Sequence, residues 1–148
     1  SMQPGGSSVF SANVYDQYRR TQVETLTPGK LLLMLYDGAL NNISQAREAI
    51  AARDAAGAHQ HLTKAQAIIL ELMSTLNMDY KISENLYQLY EYMYQKLVEG
   101  NIKKEPEALD EVAQMLSDLR QAWDEAIKSL GKNRVFKTDP YQALNVSS

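Results

Sequence analysis

Apolar residues recur every three or four positions along most of this chain, which is the spacing of helices buried along one side. The pattern predicts four helices, over residues 28–52, 55–77, 84–99 and 106–130. No convincing β-strand pattern interrupts them, and the loops between them are short. Short loops make consecutive helices antiparallel neighbours, so the predicted fold is an all-α, antiparallel up-down four-helix bundle with an N-terminal arm.

Each predicted helix has one apolar stripe that should face the bundle core. The stripes are Leu32, Leu35, Ala39, Ile43, Ala46 and Ile50; Ala58, Leu62, Ala65, Ile69, Leu72 and Leu76; Leu86, Leu89 or Tyr90, Met93 and Leu97; and Leu109, Val112, Leu116, Leu119, Trp123, Ile127 and Leu130. All four follow the same three-and-four spacing, so the four helices can share one core.

Side chains at the predicted helix ends support these boundaries. The expected caps and first positions are Thr27 with Pro28, Asp54, Ser83, and Pro106, since short hydroxyl or carboxylate side chains cap exposed N–H groups and proline suits the first helical position. Gly131 is expected to end the fourth helix. Gly100 leaves the end of the third helix open between Glu99 and Lys103, because glycine favours a helix terminus.

The segments outside the helices divide the chain into three parts. Residues 1–26 are predicted to be an N-terminal arm, 27–131 the four-helix bundle, and 132–148 a flexible C-terminal tail with scattered apolar residues. A chain of 148 residues with 45% hydrophobic and 22% charged residues is sufficient for one folded domain.

Composition excludes several classes of function. A formal net charge of −3 argues against nucleic-acid binding, which usually needs a basic surface. The chain has no cysteine, so it forms no disulfide and no thiolate-bound zinc site, as is common for a cytoplasmic protein. The longest apolar run, residues 31–36, is far shorter than the about 20 residues that span a membrane. No membrane span is therefore predicted.

The sequence shows no catalytic set, and neither enzyme activity nor a cofactor or metal is predicted. His59 and His61 are the only histidines, and two positions apart on a helix they point to different sides. The acidic residues of the fourth helix are interpreted as a solvated face. A bundle that holds haem or a metal between its helices, through His61 and the methionines, is the less favoured alternative.

Apolar residues beside the stripes exceed what a small core needs. Five of the nine tyrosines lie between residues 80 and 94. The predicted partner-binding set on the helices is Tyr87, Tyr90, Tyr94 and Val98, with Ile68, Met73 and Met115. Tyrosine and methionine are typical of protein-binding surfaces, because tyrosine combines apolar area with a polar tip and methionine adapts its shape. The alternative is that each of these residues merely widens the core.

Three motifs resemble the family of flagellin-specific export chaperones known as FliS. The main motif begins with Tyr15, Tyr18, Thr21, Val23 and Thr25, continues through Thr27-Pro28, and ends with Leu31, Met34-Leu35-Tyr36 and Gly38-Ala39. Leu97 to Ile102 and Leu119-Arg120 with Trp123 are similar to two shorter family patterns. The resemblance covers nearly all of the predicted bundle.

This resemblance implies a cytoplasmic secretion chaperone that binds the C-terminal segment of flagellin in apolar grooves and prevents polymerisation before export. It also implies that the arm, through Tyr15 and Tyr18, lies over part of the binding surface. A helical adaptor for another client of the export system, such as a flagellar regulatory protein, would need the same grooves. The sequence does not separate these two partners.

Overall fold

The structure is a computed structural model that describes residues 27–133, with side chains to residue 130. Four helices fill this range: α1 (Pro28–Ala51), α2 (Ala55–Ser74), α3 (Lys81–Lys103) and α4 (Pro106–Asn133). Each helix packs against the next, and α4 returns to pack against α1. Within the described residues there is no strand, so the predicted all-α four-helix bundle is confirmed.

The first two helix starts follow the predicted capping chemistry. The Thr27 hydroxyl accepts a hydrogen bond from the Lys30 N–H at 3.2 Å, and Pro28 occupies the first turn of α1. The Asp54 carboxylate accepts from the Gly57 N–H at 2.9 Å at the start of α2. Both side chains satisfy N–H groups that have no partner within the helix.

The connection between α2 and α3 corrects the prediction. α2 ends at Ser74, three residues before the predicted end, and α3 begins at Lys81, with Tyr80 rather than Ser83 at the cap position. Ser83 is instead buried in the first turn of α3, where its hydroxyl donates to the Asn77 carbonyl at 2.5 Å. The hydroxyl thus holds the connection against the helix.

Neither Gly100 nor Gly131 ends a helix. α3 continues through Gly100 to Lys103 and is capped by Lys104, which adopts a left-handed conformation with φ of 55°. Gly100 is buried where α3 approaches α4, and a β-carbon there would overlap the Leu109 side chain. Gly131 lies within the last turn of α4. Glycine at position 100 therefore serves packing between helices.

The core contains most of the predicted stripes together with a cluster of hydrogen-bonded aromatic side chains. The Trp123 indole donates to the Tyr36 hydroxyl at 3.0 Å, and that hydroxyl is hydrogen-bonded to the hydroxyl of Tyr90. Tyr36 is fully buried, although the predicted stripe of α1 placed Leu35 there. In α3, Tyr90 occupies the core position and Leu89 is 38% exposed.

Candidate functional site

The side-chain amide of Asn101 shows which side of α3 faces α2. This nearly buried side chain donates to the Gln66 side chain at 3.3 Å and lies 3.2 Å from the Nδ1 atom of His59, both on α2. Lys104 donates to the same amide oxygen at 2.7 Å. Residues three, four or seven positions from these on each helix therefore lie along the same interface.

This spacing places six apolar residues along one edge of the bundle. We call this the α2/α3 surface, made of Leu70 and Met73 from α2 and Tyr87, Tyr94, Val98 and Ile102 from α3. Leu70 and Met73 follow Gln66 by four and seven positions, and Val98 and Tyr94 precede Asn101 by three and seven. Tyr87 precedes Tyr94 by a further seven positions, and Ile102, four positions after Val98, lies at the outer edge of the row. The two short apolar rows thus lie side by side where α2 meets α3.

The α2/α3 surface is substantially open to solvent. Leu70 is 47% exposed, Tyr87 40% and Ile102 77%. Met73, Tyr94 and Val98 are half-buried. Exposed apolar side chains are ordinary one at a time, but several along one interface are typical of a surface that binds a partner.

The structure separates the other predicted partner-binding residues. Tyr90 was wrongly placed in the binding row: it is 1% exposed, because it shares the centre line of α3 with Leu86, Met93 and Leu97. Ile68 faces α1, since it follows by seven positions His61, whose Nδ1 lies 3.0 Å from the amide oxygen of Asn42. Tyr15 and Tyr18 lie outside the described residues.

Met115 lies between α3 and α4, beside a second exposed aromatic residue. It follows Glu111 by four positions, and the Glu111 carboxylate accepts a hydrogen bond from the Tyr92 hydroxyl at 2.6 Å. This bond holds the phenol proton and raises the pKa of Tyr92 above its ordinary value. The Lys96 ammonium group lies 5.7 Å from the centre of the Tyr92 ring. Tyr92 is therefore already engaged, unlike the tyrosines of the α2/α3 surface.

Paired charges close the interface between α1 and α4. Arg47 forms two hydrogen bonds with Asp110, at 2.6 and 3.0 Å, and Arg120 forms two with Asp37, at 2.5 and 3.1 Å. Each charge pair raises the pKa of its arginine. The exposed large apolar residues of the described chain lie elsewhere, on the outer side of α1, on α2 and α3, and in their connection.

Sequence reasoning missed Leu70 and Ile102. Both lie well off the core stripes of their helices. The helical period assigns their positions to solvent, and a bulky apolar residue at such a position is the signal that could have identified them. The predicted set consists mostly of tyrosines and methionines, and Leu70 and Ile102 belong to neither type.

The two histidines of the described residues bind amide side chains and are not grouped with carboxylates. His59 and His61 contact asparagines on different helices, and no three acidic or histidine side chains between residues 27 and 130 are close enough to share an ion. The same part of the chain contains no helix with the length and apolar character of a membrane span. What the geometry does offer is an apolar surface for a protein partner.

Comparison with known proteins identifies the family. Residues 11–130 match the family model described as flagellar protein FliS. The chain is 43% identical over 122 residues to the flagellar secretion chaperone FliS of Bacillus subtilis, covering 82% of this chain and 92% of that protein. It is 32% identical over 107 residues to the chaperone of the same name from Vibrio cholerae, covering 71% and 79%.

A solved structure shares the fold. The crystal structure of a flagellar chaperone from bacteria superposes with a TM-score of 0.66 at 20% identity, covering 80% of this chain and 98% of that one. At this identity the structural similarity supports the fold alone. The family model and the sequence relatives support the function. The chain belongs to the FliS family and is a flagellar secretion chaperone.

Proposed function

We propose that this chaperone binds the C-terminal segment of flagellin on the α2/α3 surface, in the cytoplasm and before export. The observation that carries the proposal is the row of open apolar side chains where α2 meets α3, above all Leu70, Tyr87 and Ile102. A client helix that lays its own apolar side along this interface would cover these side chains, and helix-in-groove binding is a common mode of recognition.

The proposal explains how binding would prevent premature polymerisation. A filament subunit with amphipathic ends assembles when those ends meet, and a chaperone that covers one end keeps the subunits apart. A segment that orders as it binds loses conformational entropy, so the buried interface should be large, on the order of 2,000 Å².

An interface of that size exceeds what the six residues of the α2/α3 surface supply. A client segment would reach Ile68 and Met115 only if it continued onto the neighbouring helix pairs, α1/α2 and α3/α4. Contact with Tyr15 and Tyr18 of the N-terminal arm remains a prediction from the resemblance. The proposal therefore takes the α2/α3 surface as the centre of the interface, and the other residues as its margins.

Replacing Tyr94 by alanine tests the proposal. Tyr94 is half-buried beside the core, so its loss should lower stability by less than the about 3–5 kcal/mol that a fully buried aromatic costs. We expect the dissociation constant for the flagellin C-terminal segment to rise at least about tenfold, as for a central interface residue. Isothermal titration calorimetry gives the affinity, and thermal unfolding gives the stability.

Tyr92→Ala is the matched control, because it removes a tyrosine from the same helix on the side that faces α4. We expect it to weaken binding less than about threefold, since its ring is engaged by Glu111 and Lys96. Equal losses of affinity for the two variants would mean that the client is not centred on the α2/α3 surface. Absence of binding by the unmodified chain at micromolar concentration would refute flagellin as the client.

A further inference from the structure

Carboxylates and apolar groups alternate along the side of α3 that faces α2. Glu91 follows Tyr87 by four positions and precedes Tyr94 by three, so it lies one helical turn from each. Glu84 precedes Tyr87 by three positions in the same way. Both glutamates are exposed, at the outer edge of the α2/α3 surface.

The two carboxylates differ in their surroundings. Glu84 lies in the first turn of α3, where the positive end of the helix dipole and Lys81, three positions before it, offset part of its charge, whereas Glu91 has neither. Glu84 and Glu91 form no hydrogen bond and no ion pair among residues 27–130, whereas Glu99 accepts from Lys96 at 3.3 Å. The residues one turn away from Glu91 are uncharged: Tyr87, Gln88, Tyr94 and Gln95.

The facing side of α2 adds no positive charge. The α3-facing positions of α2 carry His59, Gln66, Leu70 and Met73, and Thr63 lies beside them at the outer edge. Lys64, by contrast, lies on the opposite flank of the helix, since it is two positions before Gln66. The part of the α2/α3 surface around Glu91 therefore has a negative potential that no side chain within one turn on α3, or opposite it on α2, cancels. Lys104, the cation bound to Asn101, lies 13 positions further along the chain.

We infer that the α2/α3 surface favours a client helix with a lysine or arginine beside its apolar stripe. In this inference the Glu91 carboxylate pairs with that positive charge. The inference rests on the proposed function and names the chemistry of the client helix. Complementary charges at the edge of an interface direct encounter and fix the register of the helix, while the apolar contacts hold it.

The test uses the full chain and, as probe, the C-terminal segment of flagellin from the same organism. Affinity is measured by calorimetry at 50 mM and 500 mM NaCl for the unmodified chain, Glu91→Gln, Glu91→Lys and Glu48→Lys. Glu48 is the matched control because it is an exposed, unpaired glutamate within the described residues, on α1 and away from this surface. Urea unfolding of each variant verifies that the fold is unchanged.

At 50 mM NaCl we expect the dissociation constant to rise about threefold for Glu91→Gln, in the range of an exposed charge pair. It should rise about tenfold for Glu91→Lys, because the reversed charge adds a repulsion of similar size to the lost attraction. Glu48→Lys should stay within about twofold, and the differences should shrink at 500 mM NaCl because salt screens exposed charges. A flagellin segment in which the matching lysine or arginine is replaced by glutamate should bind Glu91→Lys more tightly than it binds the unmodified chain.

The possible results separate the inference from the proposed function. If the unmodified chain binds the segment and Glu91→Lys binds it within twofold of Glu48→Lys at both salt concentrations, charge selection by Glu91 is wrong and flagellin binding stands. The flagellin segments with one lysine or arginine replaced by glutamate give a second outcome. If Glu91→Lys binds none of them more tightly than the unmodified chain does, Glu91 has no charged counterpart in the client. If the unmodified chain binds nothing, both proposals are lost.

Discussion

The tyrosines of α3 show that two side chains about one helical turn apart can lie in different environments. Tyr90 and Tyr94 are four residues apart, yet Tyr90 lies in the core beside Tyr36 and Tyr94 lies at the edge of the α2/α3 surface. A buried hydroxyl needs a partner, and Tyr90 has one in the hydroxyl of Tyr36. Tyr94 needs no such partner, because its hydroxyl can reach water.

Tyr90→Phe should therefore affect stability and leave client binding unchanged. The substitution removes a hydroxyl from a buried hydrogen-bonded group, which costs about 1–3 kcal/mol when a partner atom is left unsatisfied. Urea unfolding monitored by circular dichroism measures the loss, and calorimetry measures the affinity for the flagellin segment. A Tyr90→Phe variant of normal stability that binds the segment weakly would mean that Tyr90 leaves the core to contact the client.

At the residue scale the sequence predicted the side of each helix better than the depth of each side chain. Helical spacing groups Tyr87, Tyr94 and Val98 on one side of α3, because the period of 3.6 residues fixes their relative directions. It could not rank Leu89 against Tyr90, which differ by one position at opposite edges of the stripe. Which of the two residues is buried depends on Tyr36 and Trp123, which the fold brings together from distant parts of the chain.

At the scale of helices, glycines at two positions play different roles. A β-carbon at position 100 would overlap the buried side chain of Leu109, whereas one at position 38 would meet only the end of the Ile68 side chain, at 3.3 Å. Ile68 is half-buried, so its terminal carbon can move by the few tenths of an ångström required. Close packing, and not helix termination, therefore explains Gly100.

The pair Gly100→Ala and Gly38→Ala tests this difference. Alanine favours a helix interior by about 1 kcal/mol over glycine, while overfilling a packed site costs about 1–3 kcal/mol. We expect Gly100→Ala to lower the free energy of unfolding by about 1 kcal/mol, and Gly38→Ala to raise it by up to about 1 kcal/mol. Chemical denaturation measures both, and stabilisation by both variants would mean that α3 and α4 are not held at this close distance.

Helix boundaries were predictable where a cap uses local chemistry and not where a cap depends on the fold. Thr27 and Asp54 bond to N–H groups three residues ahead, an interaction that sequence spacing describes completely. Ser83 was assigned the same role from the same spacing. Its hydroxyl instead reaches the Asn77 carbonyl, a partner that exists only because the connection folds back on α3.

At the scale of the whole bundle, the four interfaces between neighbouring helices differ in what they show to solvent. The α2/α3 surface exposes Leu70, Tyr87 and Ile102, and the α3/α4 interface exposes Leu89 and Tyr92. The α1/α4 interface is instead closed by the pairs Arg47–Asp110 and Arg120–Asp37. Such exposed pairs contribute little stability, and their position suits a boundary that a client does not cross.

A charge-neutral variant tests whether the α1/α4 interface lies outside the binding surface. Arg47→Gln with Asp110→Asn, combined with Arg120→Gln and Asp37→Asn, removes both pairs and leaves the net charge of the chain unchanged. We expect a small decrease in the urea midpoint relative to the unmodified chain, and a smaller difference in 1 M NaCl, where salt already screens the native pairs.

The affinity of the same variant for the flagellin segment should stay within twofold of the unmodified chain, because the apolar side chains that the client covers lie on other interfaces. Tyr94→Ala, measured in the same titration series, provides the comparison for a variant within the surface. A tenfold loss of affinity in the charge-neutral variant, with its fold intact by circular dichroism, would show that the client also crosses α1 and α4. The binding surface would then surround the bundle rather than centre on α2 and α3.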